Sequence, residues 1–215
     1  MSNLSDHFAD PDAVSRYADK VARSVPGLRD LHRMARVLLA EAVPDDGRIL
    51  VLGAGGGLEL KAFAEQQPGW RYDGVDPSAE MLHQAKATLG SLASRVSFHH
   101  GYIDDAPAGL FDGAACLLTL HFLPEEERLR TVKEIARRLK PGAPLITAHH
   151  SFSTNAHDKD KWFARHAALL VDAGEPASQM MKSSQQMKEK LPVLAPEVDE
   201  AILRAAGFGD VELFY

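Results

Sequence analysis

The chain has 215 residues, of which 45% are hydrophobic and 25% are charged, as is ordinary for one globular domain. Its formal net charge of −6 argues against wide electrostatic binding to DNA or RNA. No apolar run approaches the roughly 20 residues that span a bilayer, and residues 1–25 have no apolar core suitable for export. We therefore expect a cytoplasmic protein without a membrane partner and without a broad nucleic-acid-binding surface, although a small basic patch at 137–140 remains open.

The predicted elements form one domain over residues 1–215, beginning with a helical cap over residues 1–43. Residues 44–150 then alternate strands with helices, which is the pattern of a mostly parallel sheet covered on both faces. The fold class is therefore α/β. The predicted strands are 48–52, 72–75, 95–99, 111–120 and 144–149, and the predicted helices are 58–67, 77–89 and 124–140. The only cysteine, Cys116, falls in the fourth strand and is expected to be a buried thiol.

The junction after the first strand carries a Gly53-x-Gly55-x-Gly57 turn that runs into a helix. Rossmann-like sheets receive a nucleoside cofactor at this junction, because glycine permits the required backbone angles and a close approach of the main chain. Asp76 lies 23 positions beyond Gly53, at the end of the second strand, where a carboxylate accepts hydrogen bonds from a ribose diol.

Two further segments follow the alternation. Residues 151–195 are predicted to form a helical insertion, or lid, beside the sheet edge where ligands of α/β proteins bind. Its methionines Met180, Met181 and Met187 either line a pocket or pack within the insertion, and both readings remain open. Residues 196–215 are predicted to form a helix over 198–206 and a strand over 211–215.

Four elements of the sequence form a recognisable set: the glycine turn, residues 74–82, the Arg-Leu-Lys-Pro-Gly turn at 138–142 and the closing Ala-Ala-Gly-Phe at 205–208. With these elements the chain resembles the class I S-adenosylmethionine-dependent methyltransferases from about residue 8 to residue 215. The chain also lacks the Tyr-x-x-x-Lys pair usual in short-chain dehydrogenases. The resemblance implies S-adenosylmethionine as cofactor, S-adenosylhomocysteine as product and a small-molecule acceptor, with a homodimer left open.

The resemblance also implies which residues contact the cofactor. The main chain of the glycine turn meets the methionine part and ribose, Asp76 binds the ribose hydroxyls, and the remaining residues flank adenine and then the sulfonium. The implied contacts are Gly53, Ala54, Gly55, Asp76, Pro77, Met81, Tyr102, Ile103, Leu117 and Leu118.

The chain departs from the family pattern at two positions. Val51 stands where an acid commonly precedes the first glycine by two residues, and Tyr102 replaces an acid that often follows the glycine after the third strand. Asp104 or Asp105 either substitutes near adenine or is a solvated loop acid. Binding through the backbone is expected to persist.

Two motifs resemble the carboxy-S-adenosylmethionine synthase branch: Arg-Ser-Val-Pro-Gly at 23–27 and Leu-Thr-Leu-His-Phe-Leu at 118–123. That branch has tyrosine where this chain has Leu28, and its carboxylate-holding arginine falls on Pro192. We therefore favour ordinary methyl transfer. A synthase-like enzyme and a non-catalytic S-adenosylmethionine-binding regulatory module remain as alternatives.

Methyl transfer requires a nucleophile placed in line with the sulfur and no nucleophilic triad. If the acceptor is a hydroxyl or amine, the candidate bases are His121, His149 and His150, which follow strands four and five. Adjacent residues alternate faces, so at most one of His149 and His150 is expected to enter the pocket. No metal site is predicted. Class I sheets normally end in an antiparallel hairpin, so we expect the natural chain to continue past Tyr215.

Overall fold

The computed structural model describes residues 17–214. Residues 1–16 of the predicted cap, and Tyr215, lie outside the described residues. The rest of the cap forms helix α1, Tyr17–Ser24, and helix α2, Leu28–Ala40. Gly27 joins them with a φ of +66°. Helix α2 buries Leu31, Ala35 and Leu39, which recur every four residues and form one apolar face.

The core is a five-stranded parallel sheet of order β3-β2-β1-β4-β5 within the described residues. The predicted Rossmann-like α/β fold is confirmed. The chain order reverses between β1 and β4, so the ligand crevice of such a sheet lies beyond the carboxyl ends of these two strands. The strands are β1 Arg48–Leu52, β2 Arg71–Asp76, β3 Val96–His100, β4 Gly113–Leu117 and β5 Leu145–Ala148.

Two apolar clusters hold helices against the faces of this sheet. One joins helix α2 to α3, Leu58–Gln66, and α4, Ala79–Leu89, and contains Phe63 and Val51. The other packs helix α5, Glu125–Arg138, and α8, Pro196–Ala205, over the opposite face. Burial of both faces explains why β1 and β4 are apolar without alternation.

The insertion after β5 is a helical hairpin of α6, Ala156–Asp172, and α7, Ala177–Lys190. It has its own small cluster, in which Phe163, Leu191 and Val193 pack with Phe152 and Met187. Met180 is buried and Met181 is 72% exposed. Two of the three methionines therefore pack, and the third faces solvent. No helix in the described range is long and apolar enough to cross a bilayer.

Two strand predictions are wrong. The fourth strand was expected over 111–120 but spans Gly113–Leu117, because Leu118 has a φ of +54° and cannot continue an extended strand. Residues 211–214 form no strand, although their composition favours one. A strand exists only through hydrogen bonds to a neighbour, and these residues pair with no strand of the described chain.

Candidate functional site

The glycine turn after β1 leaves no room for side chains. Gly53 has a φ of +76°, and a Cβ added there would lie 2.0 Å from Thr119 Oγ1. Gly57 has a φ of +79°, and a Cβ there would lie 3.0 Å from the Cα of Ala85 on α4. Both positions therefore require glycine for backbone angle and for close approach.

The main chain of the turn is tied to β2. The N–H groups of Gly53 and Ala54 donate to Val75 O at 2.9 and 3.0 Å, and Gly55 N–H donates to Asp76 Oδ2 at 2.8 Å. These three amides are already satisfied inside the protein, so they are not donors for an anionic ligand. The turn thus differs from a phosphate-binding loop, whose free N–H groups hold oxygen atoms.

Asp76 has the position and hydrogen bonds expected of a ribose-binding acid. Its Oδ1 accepts from Ser78 N–H at 2.9 Å while Oδ2 accepts from Gly55, so each oxygen keeps a lone pair for a ribose hydroxyl. Burial raises the pKa of Asp76, and the two N–H donors oppose that rise. The residues present therefore fit a nucleoside with a ribose diol.

The residues predicted to flank adenine lie around the ends of β2 and β3. Pro77 is exposed, and its carbonyl lies 3.0 Å from His100 Nε2. Met81 is buried, Tyr102 is 59% exposed, and Ile103 packs in the second sheet cluster. The Tyr102 side chain is therefore accessible to a ligand, whereas Met81 and Ile103 are almost fully covered by the protein.

The two loop acids near this edge have partners within the protein. Asp104 accepts two hydrogen bonds from Arg130 Nη1, at 3.0 and 2.9 Å. Asp105 Oδ2 accepts the Tyr102 N–H at 2.9 Å and holds the loop after β3. Both carboxylates thus have structural contacts, and their predicted role beside adenine stays a prediction.

The two leucines predicted to flank the sulfonium lie at the end of β4, where the backbone is strained. Leu117 is buried, whereas Leu118 is half-buried and is the one non-glycine residue in the described range with a positive φ. Its N–H donates to Ala148 O on β5. Strained backbone of this kind concentrates at functional sites. The next residue, Thr119, is the one whose side chain abuts Gly53.

Three histidine rings form a row beyond the ends of β4 and β5. His121 and His150 have centroids 4.7 Å apart, and His150 and His166 of α6 have centroids 5.6 Å apart. Burial lowers the pKa of all three imidazoles, with neighbouring histidines adding to the shift at His121 and His150, and the pKa of His150 falls to about 4. The row is therefore uncharged at neutral pH.

His149 has a different environment from His150, although both residues lie beyond β5, which ends at Ala148 and not at His149 as predicted. Its Nε2 lies 3.1 Å from Asp199 Oδ2, and the same oxygen accepts the Ser151 hydroxyl at 2.6 Å. Asp199 Oδ1 pairs with Arg128, which is buried and donates to the carbonyl of Pro192 at 2.9 Å. His149 thus belongs to a buried ionic cluster that ties α5 to α8, whereas His150 belongs to the histidine row.

Sequence reasoning missed three residues of this region: Glu59, His166 and Thr119. Glu59 is a charged residue four positions before Phe63, on the buried face of α3, and that spacing was a usable signal. His166 lies on the insertion, and no local sequence pattern predicts that the insertion packs beside the end of β5. No group of three or more His, Cys, Asp or Glu side chains in the described chain is arranged to hold a metal ion.

The parallel sheet of this order, the glycine turn at its switch point and the acid after β2 define a Rossmann-like nucleoside-binding protein of class I type. A family model of a methyltransferase domain matches residues 49–142. Residues 49–142 thus match a methyltransferase domain, which supports the S-adenosylmethionine-dependent methyltransferase that the resemblance implied.

The relatives are distant. The carboxy-S-adenosyl-L-methionine synthase of Aeromonas hydrophila subsp. hydrophila is 24% identical over 100% of this chain and 88% of its own. An O-methyltransferase family protein from Burkholderia thailandensis shares the fold with a TM-score of 0.66 at 19% identity, covering 95% of this chain and 57% of its own.

A third relative carries the cofactor. It is CalS10, an amino pentose methyltransferase of Micromonospora echinaspora whose structure holds bound S-adenosylmethionine. It matches with a TM-score of 0.55 at 25% identity, over 63% of this chain and 56% of its own. This likeness agrees with S-adenosylmethionine as the cofactor.

Proposed function

We propose that the protein transfers the methyl group of S-adenosylmethionine to a hydroxyl or amine of a small molecule bound beside the histidine row. The single observation that carries this proposal is the row itself. His121 and His150 follow β4 and β5 next to strained Leu118, at the side of the crevice assigned to the sulfonium. Uncharged imidazoles at that point can accept a proton from an attacking nucleophile.

Each group at the site has its own role in the reaction. S-adenosylmethionine supplies a methyl carbon already activated by positive sulfur. Asp76 and the glycine turn fix the nucleoside, which sets the direction of in-line attack. His150 accepts a hydrogen bond from the attacking O–H or N–H and receives its proton as the new bond to carbon forms and the carbon–sulfur bond breaks. His121 packs edge-on against His150 and fixes its orientation.

A small acceptor is favoured by the construction of this side of the crevice. The hairpin of α6 and α7 brings His166 against His150, and His166 also hydrogen-bonds the main chain of Ser24 in α1. The site is thus bordered by the cap and by the insertion. The net charge of −6 gives no broad basic surface for nucleic acid.

The test is a transfer assay with methyl-labelled S-adenosylmethionine and a panel of small alcohols, phenols and amines. Label on a panel compound, with equimolar S-adenosylhomocysteine, supports the proposal. Label that reaches only protein or nucleic acid substrates refutes a small acceptor. Cofactor binding without transfer to any acceptor supports the alternative of a regulatory module.

The synthase-like alternative is favoured by a likeness that spans the whole chain at 24% identity. Two positions oppose it: Leu28 is buried at the start of α2, and Pro192 has no cationic side chain. Arg128 reaches the Pro192 carbonyl, but its charge is already paired with Asp199. The resemblance implies prephenate as the co-substrate of that branch, so conversion of S-adenosylmethionine to a carboxylated product with prephenate would establish the alternative.

A further inference from the structure

Glu59 is a buried acid at the cofactor crevice that has no role in the site described so far. It lies in the first turn of α3, two residues after Gly57, and is 8% exposed. Its neighbours on the buried face of the helix are Leu60 and Phe63. A carboxyl in such surroundings is costly to ionise unless a cation compensates its charge.

Two groups on the strands beside β1 are coupled to the ionisation of Glu59. It interacts electrostatically with Asp76 at the end of β2 and with Cys116 in β4, the strands on either side of β1. Glu59 itself lies in the first turn of the helix that begins after Gly57, so it stands beside the glycine turn. Burial raises its pKa to about 8, a hydrogen bond to its own N–H opposes the rise, and Asp76 adds to it.

No described cation neutralises this acid. Cys116 is an uncharged thiol because burial raises its pKa to about 12. On α2, which packs against α3, the buried histidine is His32, and burial lowers its pKa to about 4, so it is neutral at pH 7. In the described part of the chain the charged neighbour of Glu59 is another acid, Asp76.

Glu59 also stands near a strand position at which the family pattern has an acid and this chain has none. Val51 stands where related chains commonly carry an acid, and its side chain lies in the same apolar cluster as Leu60 and Phe63 of α3. Glu59 thus supplies a buried acid from the helix that follows the glycine turn, whereas β1 contains none. The amides of Gly53, Ala54 and Gly55 are internally bonded, so these groups do not favour an anion here.

We propose that Glu59 binds the α-ammonium group of the cofactor's methionine part. This group is the cation that a nucleoside seated on Asp76 would bring to the glycine turn, since the sulfonium lies toward Leu117 and Leu118. The proposal rests on the cofactor and is independent of the methyl acceptor.

Calorimetric titration of the Glu59→Gln variant with three ligands tests the proposal. S-adenosylmethionine and S-adenosylhomocysteine carry the ammonium group, and 5′-methylthioadenosine keeps the nucleoside but lacks the amino acid. We expect the variant to bind the first two about tenfold more weakly or worse and the third with unchanged affinity. The matched control is Glu65→Gln, an exposed acid on the same helix, which should change none of the three.

Equal affinity of variant and wild type for S-adenosylhomocysteine would overturn the proposal, and so would an equal loss for all three ligands. Wild-type protein that binds none of them would refute the cofactor itself, a failure distinct from that of Glu59.

A second measurement needs no variant. Near pH 7 the Glu59 carboxyl holds a proton, because its pKa is about 8, and an ammonium group in contact would displace it. Titrations in buffers of different ionisation enthalpy should show release of close to one proton with S-adenosylhomocysteine and none with 5′-methylthioadenosine. Identical proton release for the two ligands would count against the ammonium contact.

Discussion

His121 and His150 lie in edge-to-face contact, with ring centroids 4.7 Å apart, although they are 29 residues apart in the chain. Parallel pairing of β4 with β5 brings them together, because both follow the carboxyl ends of adjacent strands. His121 is buried and His150 is half-buried, so His150 is the ring of the pair that is more open to a ligand.

Replacement of His150 by asparagine is expected to lower kcat at saturating cofactor by about 100-fold, the lower end of the usual contribution of a general base. Cofactor affinity should change little, because Asp76 and the glycine turn remain. The measurement is steady-state kinetics with the acceptor found in the transfer assay. Two control variants are His157→Asn on the exposed start of α6 and His149→Asn in the buried cluster. Full activity of His150→Asn would remove the ring from the mechanism.

The pH dependence of turnover follows from the same ring. His150 must be neutral to accept a proton, and burial lowers its pKa from 6.5 to about 4. Activity should therefore persist as the pH falls below 6.5 and decline only as it approaches about 4. The profile of kcat/KM against pH measures this, with loss of folding followed in parallel by circular dichroism. An acid limb centred near 6.5 in folded protein would assign the proton to another group.

The Gly53→Ala variant is expected to lose cofactor binding and to be less stable than the Gly142→Ala variant. Both glycines have φ values near +77°, so both substitutions carry the left-handed strain of about 1–2 kcal/mol. Only the Cβ at Gly53 meets another group, Thr119, whereas nothing lies within 4 Å of the one at Gly142. Urea unfolding measures the loss of stability, and titration with S-adenosylhomocysteine measures the loss of binding. Equal stability and equal affinity of the two variants would show that Thr119 moves aside.

Arg128→Met is expected to destabilise the protein by about 3–5 kcal/mol, because it leaves Asp199 as a buried charge without its arginine. Arg137→Met, which removes an exposed arginine from the same helix, should stay within about 0.5 kcal/mol of wild type. Free energies of unfolding from urea titrations test both values. A small loss for Arg128→Met would mean that His149 and Ser151 suffice to hold Asp199.

Glu59→Gln is expected to stabilise the ligand-free protein increasingly as the pH rises from about 4.5 to about 8. In the wild type burial raises the Glu59 pKa from 4.5 to about 8, so the folded state holds a proton that the unfolded chain releases in this range. Stability then falls with rising pH, by at most about 1.4 kcal/mol for each pH unit. Thermal unfolding over this pH range measures the difference in stability between variant and wild type. Glu65→Gln is expected to follow the wild type. A constant difference for Glu59→Gln across the range would show that burial does not raise the pKa of Glu59.

The central sheet could be predicted from the sequence because its signals are local. An apolar run, a glycine turn and an acid after the next strand suffice to order β1, α3 and β2. The end of β4 could not be predicted in this way, since the apolar run continues to Leu120 while the backbone turns at Leu118. The same limit applies to residues 211–214, whose strand-like composition contains no information about a partner.

In the candidate site, too, contacts between neighbouring sequence segments could be predicted and contacts between distant segments could not. The turn and Asp76 follow from adjacent sequence, and Gly55 meets Asp76 directly. Partners that depend on helix docking did not follow: His166 against His150, and Asp199 against His149 and Arg128, join residues from distant segments. A single sequence specifies these contacts only through the completed fold.

The hairpin of α6 and α7 keeps its apolar cluster separate from the two clusters of the sheet. Under the proposed function, the acceptor contacts the hairpin while the methyl donor contacts the sheet. Substitutions in the hairpin cluster should therefore alter the choice of acceptor and leave the packing around the glycine turn and Asp76 unchanged.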